Sequence, residues 1–210
     1  MQTLSEIKDD LQQILSKKRY SHTLGVMYTA AALAMCYEED VQKAMIAGLL
    51  HDCAKQMTVE EMREICQKHQ VSVSDIERQN SGLLHAKAGM ILAKTKYMVL
   101  DSTVLNAIKY HTTGRPNMSL LEKIIYISDY IEPERDGISS LKSIRKLAFT
   151  DLDKCIVMIS KNTIQYLKAN NQIIDSATIE TYQYYKTSMG DKRYGTIKKN
   201  GSDCVQSISR

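Results

Sequence analysis

The stretch that decides the fold runs Ala44-Met45-Ile46-Ala47-Gly48-Leu49-Leu50-His51-Asp52-Cys53-Ala54-Lys55. Its first seven residues are apolar on every side of a helical wheel, which predicts a helix buried all round. His51 and Asp52 follow directly, so an imidazole and a carboxylate lie where water is scarce. Burying either group without a partner is costly, so each needs a hydrogen bond or a metal ion.

The composition of the 210 residues favours one all-α domain, because there are only two prolines, one phenylalanine and no tryptophan. The five cysteines are odd in number and show no Cys-x-x-Cys spacing, which favours reduced thiols over a disulfide framework or a thiolate zinc site. The N-terminus is charged where a signal peptide would be apolar, and no apolar run approaches the roughly 20 residues that span a bilayer. We therefore expect a soluble, cytoplasmic protein with no membrane partner.

The positive charge is concentrated at the C-terminus. Residues 186–210 hold six basic and two acidic side chains, so they account for the whole net charge of +4. A basic, non-periodic segment of this kind is usually a solvated terminus, with nucleic-acid contact as the less favoured alternative. We therefore divide the chain into a folded domain over 1–188 and a basic flexible tail over 189–210.

Four of the five histidines and two aspartates fall on inward faces or ends of separate predicted helices. The set is His22, His51, Asp52, His85, His111 and Asp129. His22 shares an apolar face with Val26 and Ala30 in a helix predicted over 18–37. Taken alone, a histidine on such a face is more often a core residue than a ligand. Arg19, one turn earlier, could either contact an anionic ligand or lie in solvent.

Asp129 gives independent support for a metal. It lies four residues after Ile125, at the end of an apolar stripe in a helix that opens with the capping box Ser119–Glu122. A carboxylate on the core side of such a stripe needs a cation or several hydrogen-bond donors. Neutral imidazole and carboxylate are both ligands for iron, manganese and zinc. The order H…HD…H…H…D along an all-helical chain therefore favours a metal site over unrelated core histidines.

Four motifs carry all of these residues except His85: Arg19–Val26, Ala47–Lys55, His111–Gly114 and Leu121–Asp136. Together they resemble the HD-domain metal-dependent phosphohydrolases and, among these, the YqeK family of symmetrical bis(5'-nucleosyl)-tetraphosphatases. The resemblance covers about residues 5–188 and implies an HD-domain helical bundle. What it implies for single residues follows.

The resemblance implies three overlapping sets of site residues. The metal ligands would be His22, His51, Asp52 and Asp129, with iron preferred and manganese as the alternative. The catalytic residues would be Asp52, Lys55, His85 and His111. The substrate would be bound by His22, Lys55, His85, His111, Thr112, Asp129 and Arg135, of which Lys55, His85, His111, Thr112 and Arg135 would line the phosphates. The same set includes the loop Ile173, Ile174, Asp175, Ser176, Ala177 and Thr178, which would meet the nucleoside and lacks the proline that the family often has there.

The chemistry of these residues suits a polyphosphate substrate. Two carboxylates would repel it unless a metal inverts the local charge, and the metal would also polarise a phosphoryl oxygen and acidify water. We therefore expect symmetrical hydrolysis of diadenosine tetraphosphate to two ADP. The alternatives are another HD-domain nucleotide phosphohydrolase, such as a nucleotidase or cyclic-nucleotide phosphodiesterase, and a regulatory module that binds nucleotide without turnover.

Two further expectations concern the number of metal ions and the partners. We expect His85 and His111 to face the phosphates of a mononuclear site, because a second ion usually needs a bridging carboxylate and further acids, and no other inward-facing acid is evident. The expected partner is a dinucleoside polyphosphate or an ADP-like nucleotide. A homodimer is a further possible assembly, and nucleic acid is not favoured as a partner.

Overall fold

The structure is a computed structural model that describes residues 2–188, and these residues form helices and connecting loops without a strand. The basic tail predicted over 189–210 lies outside the described residues. The helices are α1 (Leu4–Ile14), α2 (Lys17–Cys36), α3 (Val41–Leu50), α4 (Val59–Lys68), α5 (Asp75–Gln79), α6 (Ser81–Thr95), α7 (Ser102–Tyr110), α8 (Leu120–Ile131), α9 (Leu141–Ala148), α10 (Leu152–Ala169) and α11 (176–188). The all-α prediction is confirmed. None of the described helices combines the length and apolar character that crossing a bilayer requires.

The helices begin where the sequence places capping residues. Capping boxes open α4 at Thr58 and α8 at Ser119, in each case with a glutamate three residues later. Asp101 caps α7 by accepting a hydrogen bond from the main-chain N–H of Thr103 at 2.8 Å. These local hydrogen bonds fix where the helices begin, and α8 begins at the capping box that the sequence predicts.

Helix α3 lies at the centre of the main core. Ala44, Ala47, Leu49 and Leu50 are all fully buried, as the apolar run predicts. Helices α2, α7 and α8 pack around α3, and a smaller apolar cluster lies between α4 and α6. The C-terminal end of α3 consequently lies deep inside the protein, and that end carries His51.

Helices α2 and α3 cross with their backbones in close approach at Gly48. A Cβ atom at Gly48 would lie 2.9 Å from the Met27 Cα and 3.3 Å from the Val26 carbonyl oxygen. Both neighbours are main-chain atoms of a buried helix, so neither can move aside without shifting α2. Glycine is therefore required at this crossing although it is a poor helix former.

We predict that Gly48→Ala lowers the free energy of unfolding by about 1–3 kcal/mol, as overpacking of a dense core does. Melting temperature would fall by about 2–4 °C for each kcal/mol in a chain of this length. The matched control is Gly89→Ala in α6, where the added methyl would meet Cys53 Sγ and the His51 carbonyl oxygen at 3.5 Å, ordinary contact distance. The control should melt at or above the wild-type temperature, and equal melting of the two variants would contradict the prediction.

Candidate metal centre

The predicted site residues lie close together although they belong to elements that are distant in the chain. Helix α2 carries Arg19 and His22, the turn after α3 carries His51, Asp52 and Lys55, α6 carries His85, the end of α7 carries His111, and the end of α8 carries Asp129. The turn after α3 is closed by the main-chain N–H of Lys55, which donates to the Asp52 carbonyl at 2.9 Å. All four predicted histidines and Asp52 are buried.

Main-chain carbonyls aim three of the imidazoles. The Nδ1 atoms of His51 and His111 each lie 2.7 Å from the carbonyl oxygen three residues earlier, and Nδ1 of His85 lies 3.0 Å from the carbonyl four residues earlier. A carbonyl only accepts hydrogen bonds, so Nδ1 carries the hydrogen in each ring. The Nε2 lone pairs are left facing inward, which is the tautomer that a metal ligand needs.

Two imidazoles and two carboxylates converge on one point. Nε2 of His22 lies 3.0 Å from Asp129 Oδ1, and Nε2 of His51 lies 3.8 Å from the same oxygen and 3.5 Å from Asp52 Oδ2. Neither Nε2 atom has a hydrogen-bond partner, although both are buried. Lone pairs that face carboxylate oxygens repel one another unless a cation lies between them. The donor set therefore fits a metal ion, and His22, His51 and Asp129 form a group with ligand-like spacing.

The carboxylates of this group ionise readily, whereas a metal ion would have to displace a proton from His22. Burial alone would lower the pKa of His22, but the carboxylates of Asp129 and Asp52 raise it overall. Burial would raise the pKa of Asp52, but the imidazoles of His51, His111 and His85 hold that pKa well below its usual range. The pKa of Asp129 is also held low, because His22 and His51 outweigh its burial. Both carboxylates are thus ionised at neutral pH, as ligands must be.

Asp52 reaches a second group of nitrogens through its other oxygen. Oδ1 lies 3.0 Å from Nε2 of His85 and 3.7 Å from Nε2 of His111, and these two nitrogens are 3.1 Å apart. A single ion is expected from the sequence because a second one usually needs a bridging carboxylate and further acids. The structure instead places the Asp52 carboxylate between two sets of imidazoles. Burial lowers the pKa of His85 to about 4, so its ring is neutral at pH 7.

Three cationic side chains flank the imidazoles and carboxylates. The Arg19 guanidinium lies 2.7 Å from Asp52 Oδ2, and Arg135 lies 3.3 Å from Asp129 Oδ1 and donates to the Asp129 carbonyl at 2.8 Å. Lys55 Nζ lies 3.8 Å from Asp52 Oδ1. Its pKa is lowered by burial. Arginine binds phosphate with two parallel hydrogen bonds, so the surroundings of the carboxylates suit a polyanion.

Glu132 contacts the site although it is not among the residues predicted from the sequence. Its Oε1 lies 3.2 Å from Nδ1 of His22, and the residue is 3% exposed. It therefore orients His22 as the main-chain carbonyls orient the other rings. The signal was present, because Glu132 follows Asp129 by three residues and such residues share a helix face. It was interpreted only as the end of the helix. The expectation of no further inward-facing acid is thus wrong.

The loop before α11 reaches the site only in part. Asp175, Ser176 and Ala177 line a cavity of about 290 Å³ together with Thr112, which follows His111 in the chain. Ile173 and Ile174 are not among the lining residues, and Ile173 is 70% exposed. Thr178 is buried, and its main-chain N–H donates to the Asp175 carbonyl at 3.1 Å. Residues 175–177 thus share a cavity with Thr112, and none of the proposed metal ligands lines that cavity.

Known proteins with similar sequences carry the same domain. A family model described as the HD domain matches residues 19–134. The symmetrical bis(5'-nucleosyl)-tetraphosphatase of Bacillus subtilis is 41% identical over 174 residues, 83% of this chain and 92% of that protein. The protein of the same name from Halalkalibacterium halodurans is 45% identical over 168 residues, 80% and 89% of the two chains.

A solved structure shares the fold. The crystal structure of a predicted HD superfamily hydrolase involved in NAD metabolism, from Clostridium acetobutylicum, superposes with a TM-score of 0.86 at 48% identity, covering 90% of this chain and 99% of that one. The HD domain is metal-dependent, and the imidazoles and carboxylates described above supply groups that can hold the metal. With this match over more than half of the chain and relatives above 40% identity, the chain belongs to the HD-domain family and, within it, to the YqeK family.

Proposed function

We propose that the chain hydrolyses dinucleoside tetraphosphates, diadenosine tetraphosphate among them, at the central bridge to give two nucleoside diphosphates. The observation that carries the proposal is the convergence of four imidazoles and two ionised carboxylates, flanked by Arg19, Lys55 and Arg135. The name shared by the relatives supports symmetrical cleavage. The unpaired cysteines of the described residues agree with the cytoplasm as the proposed compartment.

The proposed ligands of the metal are His22, His51, Asp52 and Asp129. Nitrogen and oxygen donors of this kind suit iron, which we propose, and manganese as the alternative. When bound, the ion supplies Lewis-acid chemistry at a phosphoryl oxygen and acidifies water for attack. His51 holds its Nε2 toward that position because its Nδ1 is engaged by the carbonyl of Gly48. Glu132 does the same for His22.

The side chains around the ligands are proposed to hold the phosphates. Lys55 and Arg135 would neutralise charge that develops on the phosphoryl oxygens. Thr112 would donate a hydrogen bond, and Asp175 to Ala177 would meet one nucleoside in the cavity beside it. His85 is proposed to contact a phosphate oxygen; because that oxygen only accepts hydrogen bonds and Nδ1 already donates to the Ser81 carbonyl, the ring would have to take up a proton on Nε2 to donate one. His111 lies beside it and is proposed to act on the same phosphate.

The products decide between this function and its alternatives. Protein purified without chelator should convert one diadenosine tetraphosphate to two ADP, measured by anion-exchange chromatography. AMP together with ATP would indicate asymmetric cleavage by another kind of phosphohydrolase. Saturable binding of unchanged substrate would indicate a regulatory module, and hydrolysis only of mononucleotides or cyclic nucleotides would identify a different HD-domain activity.

We predict that His51→Ala loses the bound metal and hydrolysis together. The melting temperature should fall as well, because metal binding to the folded state stabilises it. Elemental analysis and thermal unfolding measure the two effects. The matched control is His69→Ala, because His69 is the exposed histidine at the end of α4 and should leave both unchanged. Full metal content in His51→Ala would refute the ligand set.

The metal count decides the role of His85 and His111. With one ion held by the four proposed ligands, His85→Ala and His111→Ala should each keep the metal and lose rate by about 10²–10⁴ if the residue transfers a proton. The position of Asp52 between two sets of imidazoles favours a second candidate, a pair of ions bridged by that carboxylate. Two equivalents in the wild type, falling to one in either variant, would establish the pair and contradict the single-ion proposal.

A further inference from the structure

Arg135 lines two cavities, of which the proposed roles use only one. The first is a cleft of about 240 Å³ that it shares with Arg19 and His22. The second has a volume of about 660 Å³ and is named the distal pocket here. The distal pocket is lined by Tyr130, Arg135, Ser139, Asn162, Gln165 and Tyr166.

We propose that the distal pocket binds the second nucleoside of the dinucleoside tetraphosphate. This inference rests on the proposed function. A cut at the central bridge divides the substrate into two nucleoside diphosphates, one on each side of the cleaved bond. Two nucleosides must therefore be accommodated. The cavity beside Thr112 is proposed to receive one of them, and the other needs a second binding site.

The distal pocket adjoins the phosphate contacts. Tyr130 directly follows Asp129, one of the proposed metal ligands, and Arg135 lies 3.3 Å from the Asp129 carboxylate. The Nε atom of Arg135 is buried without a hydrogen-bond partner, and the residue lines both cavities. The pocket therefore begins where the proposed contacts to the phosphates end.

The two cavities differ in how many charged side chains line them. The cleft is lined by three basic residues (Lys18, Arg19 and Arg135) and three acidic ones (Glu132, Glu134 and Asp136), so a phosphate arm there would pair with the basic side chains. Apart from Arg135 and Asp136, the lining of the distal pocket is uncharged and includes two tyrosine rings and two amide side chains. Tyrosine rings stack on bases and amides hydrogen-bond to base edges, so the pocket suits a neutral nucleoside better than further phosphates.

The pocket has the size and partial order expected of a ligand site. Its volume lies within the range of about 300–1,000 Å³ that is common for such sites. The amide of Asn162 donates to Ser140 Oγ at 2.8 Å and to the Tyr130 hydroxyl at 3.2 Å, which fixes the orientation of its oxygen as an acceptor. Tyr166 is 63% exposed, so its ring is available to cover a base and contributes little to the core.

The test compares two substrates that differ only in the second nucleoside. Tyr166→Ala should lower kcat/KM on diadenosine tetraphosphate by about 5- to 100-fold, mainly through a higher KM, as loss of one stacked base implies. Adenosine 5'-tetraphosphate carries one nucleoside, and the same cut would turn it into ADP and pyrophosphate. Its cleavage should be unchanged, because it can bind with the distal pocket empty.

The control variant is Tyr28→Ala on α2, where the tyrosine is similarly exposed at 58% and lies outside the lining of the distal pocket. It should change neither substrate, and thermal unfolding should show both variants folded. An equal loss of kcat/KM on both substrates, or no loss on either, would contradict the assignment of the distal pocket as a nucleoside site. Failure of the proposed function would appear differently, because wild-type protein would then make ADP from neither compound. The assignment of the distal pocket would be contradicted together with the function.

Discussion

The site depends on placing imidazole nitrogens and ionised carboxylates together in a largely buried region. Nε2 of His22 and Asp129 Oδ1 are 3.0 Å apart, and Nε2 of His51 faces two carboxylate oxygens from the buried C-terminal end of α3. A cation between these groups would offset the cost of burying them together. Folding and metal binding are therefore coupled by the same side chains.

Much of the fold and the membership of the site could be predicted because the signals are local. The second helix was predicted over 18–37 and is observed at Lys17–Cys36, since its apolar periodicity and its capping are set by near neighbours. The apolar run before His51 predicted a helix buried on all sides, and within 44–50 every residue except the half-buried Met45 is buried. The four histidines and two aspartates do come together, because each lies on the inward face of a helix or directly after a buried helix.

Contacts between distant elements could not be predicted. Arg19 meets Asp52 across 33 positions, and nothing near Arg19 in the sequence distinguishes this ion pair from an exposed arginine. The two oxygens of Asp52 face different sets of imidazoles, which depends on how α6 and α7 pack against the turn after α3. Glu132 is different in kind, since its spacing from Asp129 was visible and only its assignment to a helix end concealed it.

The charges around the metal ligands bear on where the substrate would be cut. In the proposed arrangement, arginine and lysine side chains hold the phosphates in the cleft, and the uncharged distal pocket beside Arg135 holds a nucleoside. The enzyme then need not recognise the central bridging oxygen itself. A nucleoside bound on each side of the cleft limits how far the polyphosphate can slide past His22 and Asp129. The two halves of the substrate, each a nucleoside diphosphate, are equal in length, so the phosphoanhydride bond held at the metal ligands is the central one. Symmetrical cleavage then follows from the spacing of the two nucleoside sites.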